Sequence, residues 1–353
     1  MTLRVYVLKL IFQRTLAAAL ILMGILQVLD LLDITTEVLN RGLGVMGILH
    51  YAFLRLPALF RQIAPLSVLV GVIFAFLQLA RDNAVVAMRA AGISLIQLIL
   101  MGVPIGAGVA LVDLAVIEFA APHAQRALDT WWTATAPPSE RPEFKSRPFR
   151  VGPDIVLAKQ GDQAGARLDD IHIYRRNASG KLVERITASS ATYVDGAWRL
   201  QKPTITRVGE STVVSTTPNQ MMWQNDLDPK EVRTLFKPNQ PLSAAEARRA
   251  LSGGPAEKPE AFYLTQLHRL AAEPLGALVM LLLAAPVAFA NFRSGSGVKL
   301  VGGAIGGGLL FLVVDGTMTA FAETGALPSL LGAWFAPVVF AFGAATALLY
   351  LEA

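Results

Sequence analysis

Long apolar stretches broken by short polar interruptions occupy both ends of the chain, whereas the middle follows a shorter rhythm. A helix that crosses the hydrocarbon core needs about 20 apolar residues, because the core is about 30 Å thick and each residue rises about 1.5 Å. Six stretches meet that length, roughly 15–38, 56–80, 90–119, 268–292, 299–322 and 328–351. The uncharged runs 62–80, 90–112, 275–292 and 324–351 are the clearest, while acids interrupt the first and fifth stretches. Between the third and fourth stretches, about residues 135 to 245, the apolar positions alternate with period two. Ile171 and Ile173 flank His172 and precede Tyr174, and the strand-like segments 186–194 and 197–208 are joined by Asp195-Gly196. That dipeptide suits a type I′ hairpin, whose two central residues both need φ > 0. Val213, Val214 and Met221-Met222-Trp223 continue the series, and short strands at this spacing predict a sandwich or jelly roll rather than a parallel sheet. Residues 228–251 read as helical, with Ser243 as an N-cap and Ser252-Gly253-Gly254-Pro255 as the stop. Asn177-Ala178-Ser179 matches a glycosylation sequon but reads better as a hairpin turn.

Composition agrees with the pattern. Hydrophobic residues make up 54% of the 353, and charged residues only 16%, against about 25% in soluble domains. Twenty of the 31 Lys/Arg and 16 of the 26 Asp/Glu fall between positions 121 and 267, so the flanks are nearly charge-free. The absence of cysteine excludes disulfides and thiolate metal sites, and the four histidines are scattered with no HExxH-like pair, which gives metal catalysis little support. The fold expected is an α-helical membrane protein of six transmembrane helices with an inserted all-β, jelly-roll-like domain. Its parts are a first membrane half (1–122), the β domain with a short helical exit (123–262) and a second membrane half (263–353).

An even number of spans puts both termini on one side and the β domain on the other. Arg4, Lys9, Arg14, Arg81, Arg89, Arg293 and Lys299 lie on the terminal side, against Arg41, Arg55, Arg61 and Arg269 opposite. Positive charge accumulates on cytoplasmic ends, so both termini are expected in the cytoplasm and the β domain outside it. The basic start before an apolar run also resembles a signal peptide, but Asp30 and Asp33 stand where a cleavage site would be, which predicts an uncleaved first helix.

Between the second and third spans lies Arg81-Asp82-Asn83-Ala84-Val85-Val86-Ala87-Met88-Arg89-Ala90-Ala91-Gly92. Asp82 can cap its first turn and Gly92 can take the left-handed position after its last. Val85 and Met88 share a face at i, i+3. An apolar knob flanked by charges suits docking into a groove on a cytoplasmic partner, and an ordinary interfacial linker helix fits as well. Asp30 and Asp315 lie inside spans, where a charge costs about 2.5–3.5 kcal/mol to insert and so tends to face a cavity or a partner. Asp33 and Glu37 fit a membrane interface. The overlapping GxxxG patterns in 302–308 and Gly102–Gly106 read as packing surfaces, whether within the chain or toward another subunit. No GxSxG or GxxxxGK[ST] occurs, so an energy source must come from another chain.

Over essentially its whole length the chain resembles the LptF/LptG lipopolysaccharide export permeases. The resemblance rests on the three-span, β domain, three-span layout, on Pro57 and Pro65 leading to Leu69-Val70-Gly71, and on the segment from Leu79-Ala80 through Met88 to Gly92. It rests also on Glu118 with Ala121-Pro122, on Trp223 followed by Leu227 and Pro229, and on Val314-Asp315 and Gly325-Ala326-Leu327-Pro328, the last two being more like LptG. What it implies is a permease subunit of an ABC-type system that extracts lipopolysaccharide from the bacterial inner membrane and passes it to a periplasmic bridge. The implied partners are a second, LptF-like permease, a cytoplasmic LptB ATPase dimer that binds the ATP, and LptC leading to LptA. No cofactor or catalytic residue is expected in this chain, and no nucleic acid.

In that setting Asp82, Asn83, Val85, Met88, Arg89 and Gly92 form the ATPase-coupling helix. Leu22, Leu26, Leu29, Asp30, Leu310, Val314 and Asp315 are candidates for a lipid cavity, since acyl chains gain about 0.8 kcal/mol per buried CH₂. Those leucines fit a lipid-facing or bundle-packed position equally. The chain departs from the family's pattern at Ala84, where a glutamate is usual, and at Gln27, where LptG often has a lysine. ATPase docking then shifts to Asp82 or Arg89, and headgroup recognition to Arg41, Arg55 or Arg61. Two other classes compete: a membrane-anchored periplasmic scaffold with inert spans, and an intramembrane hydrolase built on Asp30 and Asp315.

Overall fold

The computed structural model describes residues 3–137, 146–162, 164–177, 179–208, 213–225, 227–236, 243–289 and 296–352. The chain forms two compact units, 1–135 with 265–353, and 136–264.

In the first unit α1 (Leu3–Asn40) and α2 (Gly44–Arg81) are 38 residues each. At about 1.5 Å per residue they run to about 57 Å, well beyond the hydrocarbon core. Both are longer than the apolar runs inside them, because a helix that has paid for nucleation continues through polar turns until its ladder is stopped. After them come α3 (Ala84–Ala90), α4 (Leu95–Leu100) and α5 (Val103–Ala115). A π-helical turn, Val116–Ala120, joins α5 to α6 (Ala121–Ala134). Helix α6 therefore belongs with the membrane unit, a correction to the boundary expected at 123. Later in the chain α9 (Glu260–Ala272) and α10 (Leu275–Ala284) are bent against each other by 53°, and α10 ends in a tight 3-10 turn, Ala285–Phe289. The last helices are α11 (Ser296–Glu323) and α12 (Ser329–Glu352). Among the described residues five helical stretches are long and apolar enough to cross a membrane, namely α1, α2, the run 96–134 from α4 through α6, α11 and α12, and the count is six if the bent α9–α10 pair is one span.

Glycines at the helix crossings decide how closely these helices approach. A Cβ on Gly71 would lie 2.4 Å from the Cα of Thr15, so α1 and α2 can meet there only because position 71 has none. Gly308 sits equally tightly against Leu69, and Gly106 of α5 faces Leu278 of α10. Gly302, Gly303 and Gly306 instead face open space, so within the glycine-rich run Ala304 and the end at Gly307 and Gly308 pack inside this chain.

The second unit is an eight-stranded antiparallel sheet. Its strands are β1 (Arg147–Val151), β2 (Asp154–Gln160), β3 (Arg167–Arg176), β4 (Leu182–Val194), β5 (Ala197–Gln201), β6 (Thr204–Val208), β7 (Val213–Thr216) and β8 (Gln220–Trp223). Order β1-β2-β3-β4-β5-β8 makes most of it a meander, not two Greek keys, and β6 and β7 continue from the other half of β4. The hairpin at Asp195 (φ 52°) and Gly196 (φ 85°) forms as its dipeptide requires. One expected strand, 197–208, is split in two, because Lys202 takes φ 48° and Pro203 has no N–H to give to a ladder. Likewise 228–251 is two helices, α7 (Pro229–Leu235) and α8 (Ala244–Leu251), each with its own capping box from Asp228 with Glu231 and from Ser243 with Glu246. At the sequon the Asn177 carboxamide accepts from the backbone N–H of Ser179 and of Lys181, which is the turn reading.

Alternating residues of β2 to β5 bury Val156, Ile171, Ile173, Ile186, Trp198 and Leu200 with Trp223 and Val232. Two polar tethers fix the tryptophans: Trp198 Nε1 donates to the Leu227 carbonyl at 2.8 Å and Trp223 Nε1 to Asp154 at 3.1 Å. Arg175 in turn grips Asp154 with two bonds of 3.0 and 3.1 Å, and that hydrogen-bonded carboxylate pushes the guanidinium above its ordinary pKa.

Candidate functional site

Helix α2 connects two polar regions of the membrane unit. At one end its ladder stops at Arg81, with the Asp82 N–H donating to the Gln78 carbonyl. The chain turns through Asn83, whose φ of 54° is left-handed, and α3 starts without a side-chain cap. Asp82 thus closes α2 and does not cap α3, because Asn83 occupies the N-cap position. Gly92 at φ 81° ends α3 in the expected left-handed conformation. Val85 and Met88 are buried in one cluster with Leu79, Leu98 and Ile99. Val85 and Met88, expected to form the apolar knob, thus pack within this chain, and the exposed apolar side chain of α3 is Val86, 66% exposed, with Asp82, Asn83 and Arg89 exposed as well. Buried Val85 and Met88 instead join α3 rigidly to its own unit. Near the same end Arg14 of α1 donates to the Gln78 side chain at 3.1 Å.

The first half of α2 carries partly buried charges. Asp30 of α1 accepts two bonds from Arg55, Nη2 at 2.6 Å and Nε at 3.1 Å, a fork that holds α1 to α2. At the loop after α1, Arg41 donates to Glu37 at 2.8 Å and to the Trp132 carbonyl at 2.8 Å, and its guanidinium lies 3.9 Å from the Trp132 ring centroid. That stack fastens the end of α6, with Trp131 facing His50 at 5.0 Å.

A larger network lies one helix further in. Arg61 Nη2 of α2 meets Glu273 at 2.9 Å, in the break between α9 and α10. Glu273 also faces Arg269 of α9 at 3.4 Å, and Arg269 reaches Asp315 of α11 at 3.1 Å and donates to the Thr319 hydroxyl. Asp113 of α5, 2% exposed, lies within electrostatic reach of Glu273 and Arg61, and its Oδ1 has no hydrogen-bond partner among the described residues. Ionic groups at such depth persist when geometry and extra hydrogen bonds repay their dehydration, which Arg269 achieves with three partners.

Each expected headgroup cation, Arg41, Arg55 and Arg61, is bonded to an acid of the same chain, Glu37, Asp30 and Glu273 in turn. Asp30 and Asp315 are answered by different arginines, Arg55 and Arg269. Leu29 and Leu310 are exposed on α1 and α11, while Leu22, Leu26 and Val314 are half-buried. Both amide atoms of Gln27 are buried without a partner among the described residues. Among those residues no group of three His, Cys, Asp or Glu could hold a metal ion. Asp113, Glu273 and Thr319 were not singled out by the sequence. The signal was there, since the uncharged runs 90–112 and 275–292 stop just short of Asp113 and start just past Glu273.

A family model described as "Lipopolysaccharide export system permease LptF/LptG" matches residues 5–350. No curated protein matches the chain.

Proposed function

Because the chain belongs to the LptF/LptG family of lipopolysaccharide export permeases, we propose that it is one of two permease subunits of an ABC-type exporter in the bacterial inner membrane, the LptG-like one. Both termini and α3 lie in the cytoplasm in this reading, and the β unit in the periplasm. The exposed α1 and α11 faces, with Leu29 and Leu310, line a lipid cavity completed by an LptF-like subunit. An LptB ATPase dimer drives the cycle, and the β unit passes lipopolysaccharide through LptC toward LptA.

The observation that carries the mechanism is the divided face of α3. Val85 and Met88 anchor it in the core cluster with Phe76 and Leu79, while Val86 and Arg89 face outward. A push on Val86 is transmitted to α2 without first being absorbed by a soft joint, since a close-packed core is nearly incompressible. Docking then rests on Val86 with Asp82 and Arg89, in place of an acid at Ala84.

The test is co-purification with the ATPase and ATP-dependent lipopolysaccharide release from membrane vesicles. Val86→Asp should abolish both while the protein still accumulates in the membrane. Unchanged release would remove α3 from the coupling path and favour the scaffold reading.

A further inference from the structure

Arg61 is only half used. Its Nη2 bonds Glu273, but its Nε–H is buried without an acceptor among the described residues. Asp113 Oδ1 is the complementary vacancy, a buried acceptor without a donor, on a carboxylate within electrostatic reach of that same arginine. Helix α2 packs against α5, and an unmet buried donor and an unmet buried acceptor on these two helices cost free energy that pairing them would recover. Glu273 can give Arg61 up, because Arg269 also holds it.

The helices that carry the two carboxylates both have interrupted ladders beside them. Asp113 lies three residues before the π-helical turn Val116–Ala120, and Glu273 immediately precedes Pro274 at the 53° bend. Proline gives no N–H to the ladder and a π turn holds one surplus residue, so either segment can shift without breaking a regular helix.

We infer that Arg61 is a two-position connector that exchanges Glu273 of the fourth span for Asp113 of the third as the membrane unit changes conformation. In the arrangement described here it holds α2 to the α9–α10 bend. In the other it holds α2 to α5, and Glu273 remains with Arg269. Arg61 is thus a positioning residue that sets which of two neighbours moves with α2. The inference does not depend on which lipid is carried or on the ATPase.

The chain has no cysteine, so spin labels at Leu111→Cys on α5 and Ala271→Cys on α9, both exposed, report the separation of the third and fourth spans. The full-length chain in lipid bilayers is measured by double electron–electron resonance. Asp113→Asn should enrich the distance of the Glu273-paired arrangement and Glu273→Gln the other, the two ratios differing by about tenfold or more, as expected for loss of one charged hydrogen bond. Shifts in the same direction, or none, overturn the exchange. Should Glu273→Gln fail to accumulate, the background Arg61→Gln decides: Asp113→Asn must then have no further effect, and an undiminished effect refutes the connector.

Discussion

The two ends of α2 solve the same joining problem with opposite chemistry. At the α3 end Leu79, Val85 and Met88 are buried with Leu98 and Ile99, and every charge nearby, Arg81, Asp82 and Arg89, is on the surface. In the first half of α2, up to mid-helix, the joints are Asp30–Arg55 and Arg61–Glu273–Arg269–Asp315, all partly buried. Apolar packing is non-directional and degrades gradually, whereas an ion pair has a few discrete geometries. The α3 end is thus held by apolar packing and the Arg55–Arg61 stretch by directional pairs, the first being what the proposed coupling requires and the second what the proposed exchange of Arg61 requires.

Removing one partner from the charged network should have the largest effect. Glu273→Ala removes the acid that holds Arg61 in the arrangement described here and takes one of two acids from Arg269, and the unit should lose about 3–5 kcal/mol in denaturant titrations in detergent. If it loses less than Met88→Ala, the charged end is the weaker of the two joints. Met88→Ala itself should cost about 2–4 kcal/mol, the penalty for a cavity in a packed cluster. Arg55→Met should cost about 1–3 kcal/mol by stranding Asp30, and Asp30→Met on the same background should restore most of it, because an ion pair can be exchanged for apolar contact at little net loss. A double variant as unstable as the single one would show that the fork carries more than stability. Val86→Ala should change stability by less than about 0.5 kcal/mol yet reduce ATP-dependent release, which separates the outer face of α3 from its inner one.

How far the sequence reveals this contrast depends on the range of each interaction. The spans, the Asp195-Gly196 hairpin, the Ser243 cap and the Gly92 stop are local, set by residues within one turn of each other, and all are present. Which face of α3 looks outward is not local. Val85, Val86 and Met88 are equally apolar, and only packing against Leu98 and Ile99 distinguishes them. Ion pairing is further out of reach, since Arg61 and Glu273 are 212 residues apart and Asp30 and Arg55 are 25 apart. Nothing near Arg55 and Arg61 in the chain names the acid that binds them, whereas Arg41 has Glu37 one turn away. Asp113 and Glu273 marked the limits of apolar runs, and a charge at the edge of a hydrophobic run looks the same whether it meets water or an arginine.

The π-helical turn at Val116–Ala120 has a bearing on α6 that its five residues would not announce. One surplus residue rotates everything downstream by about 100° about the helix axis. The azimuth of Leu128, Trp131 and Trp132 is therefore inherited from that turn, and so is the meeting of the Trp132 carbonyl with Arg41. Deleting a single residue there would leave a smoother rod with its aromatic collar facing the wrong way.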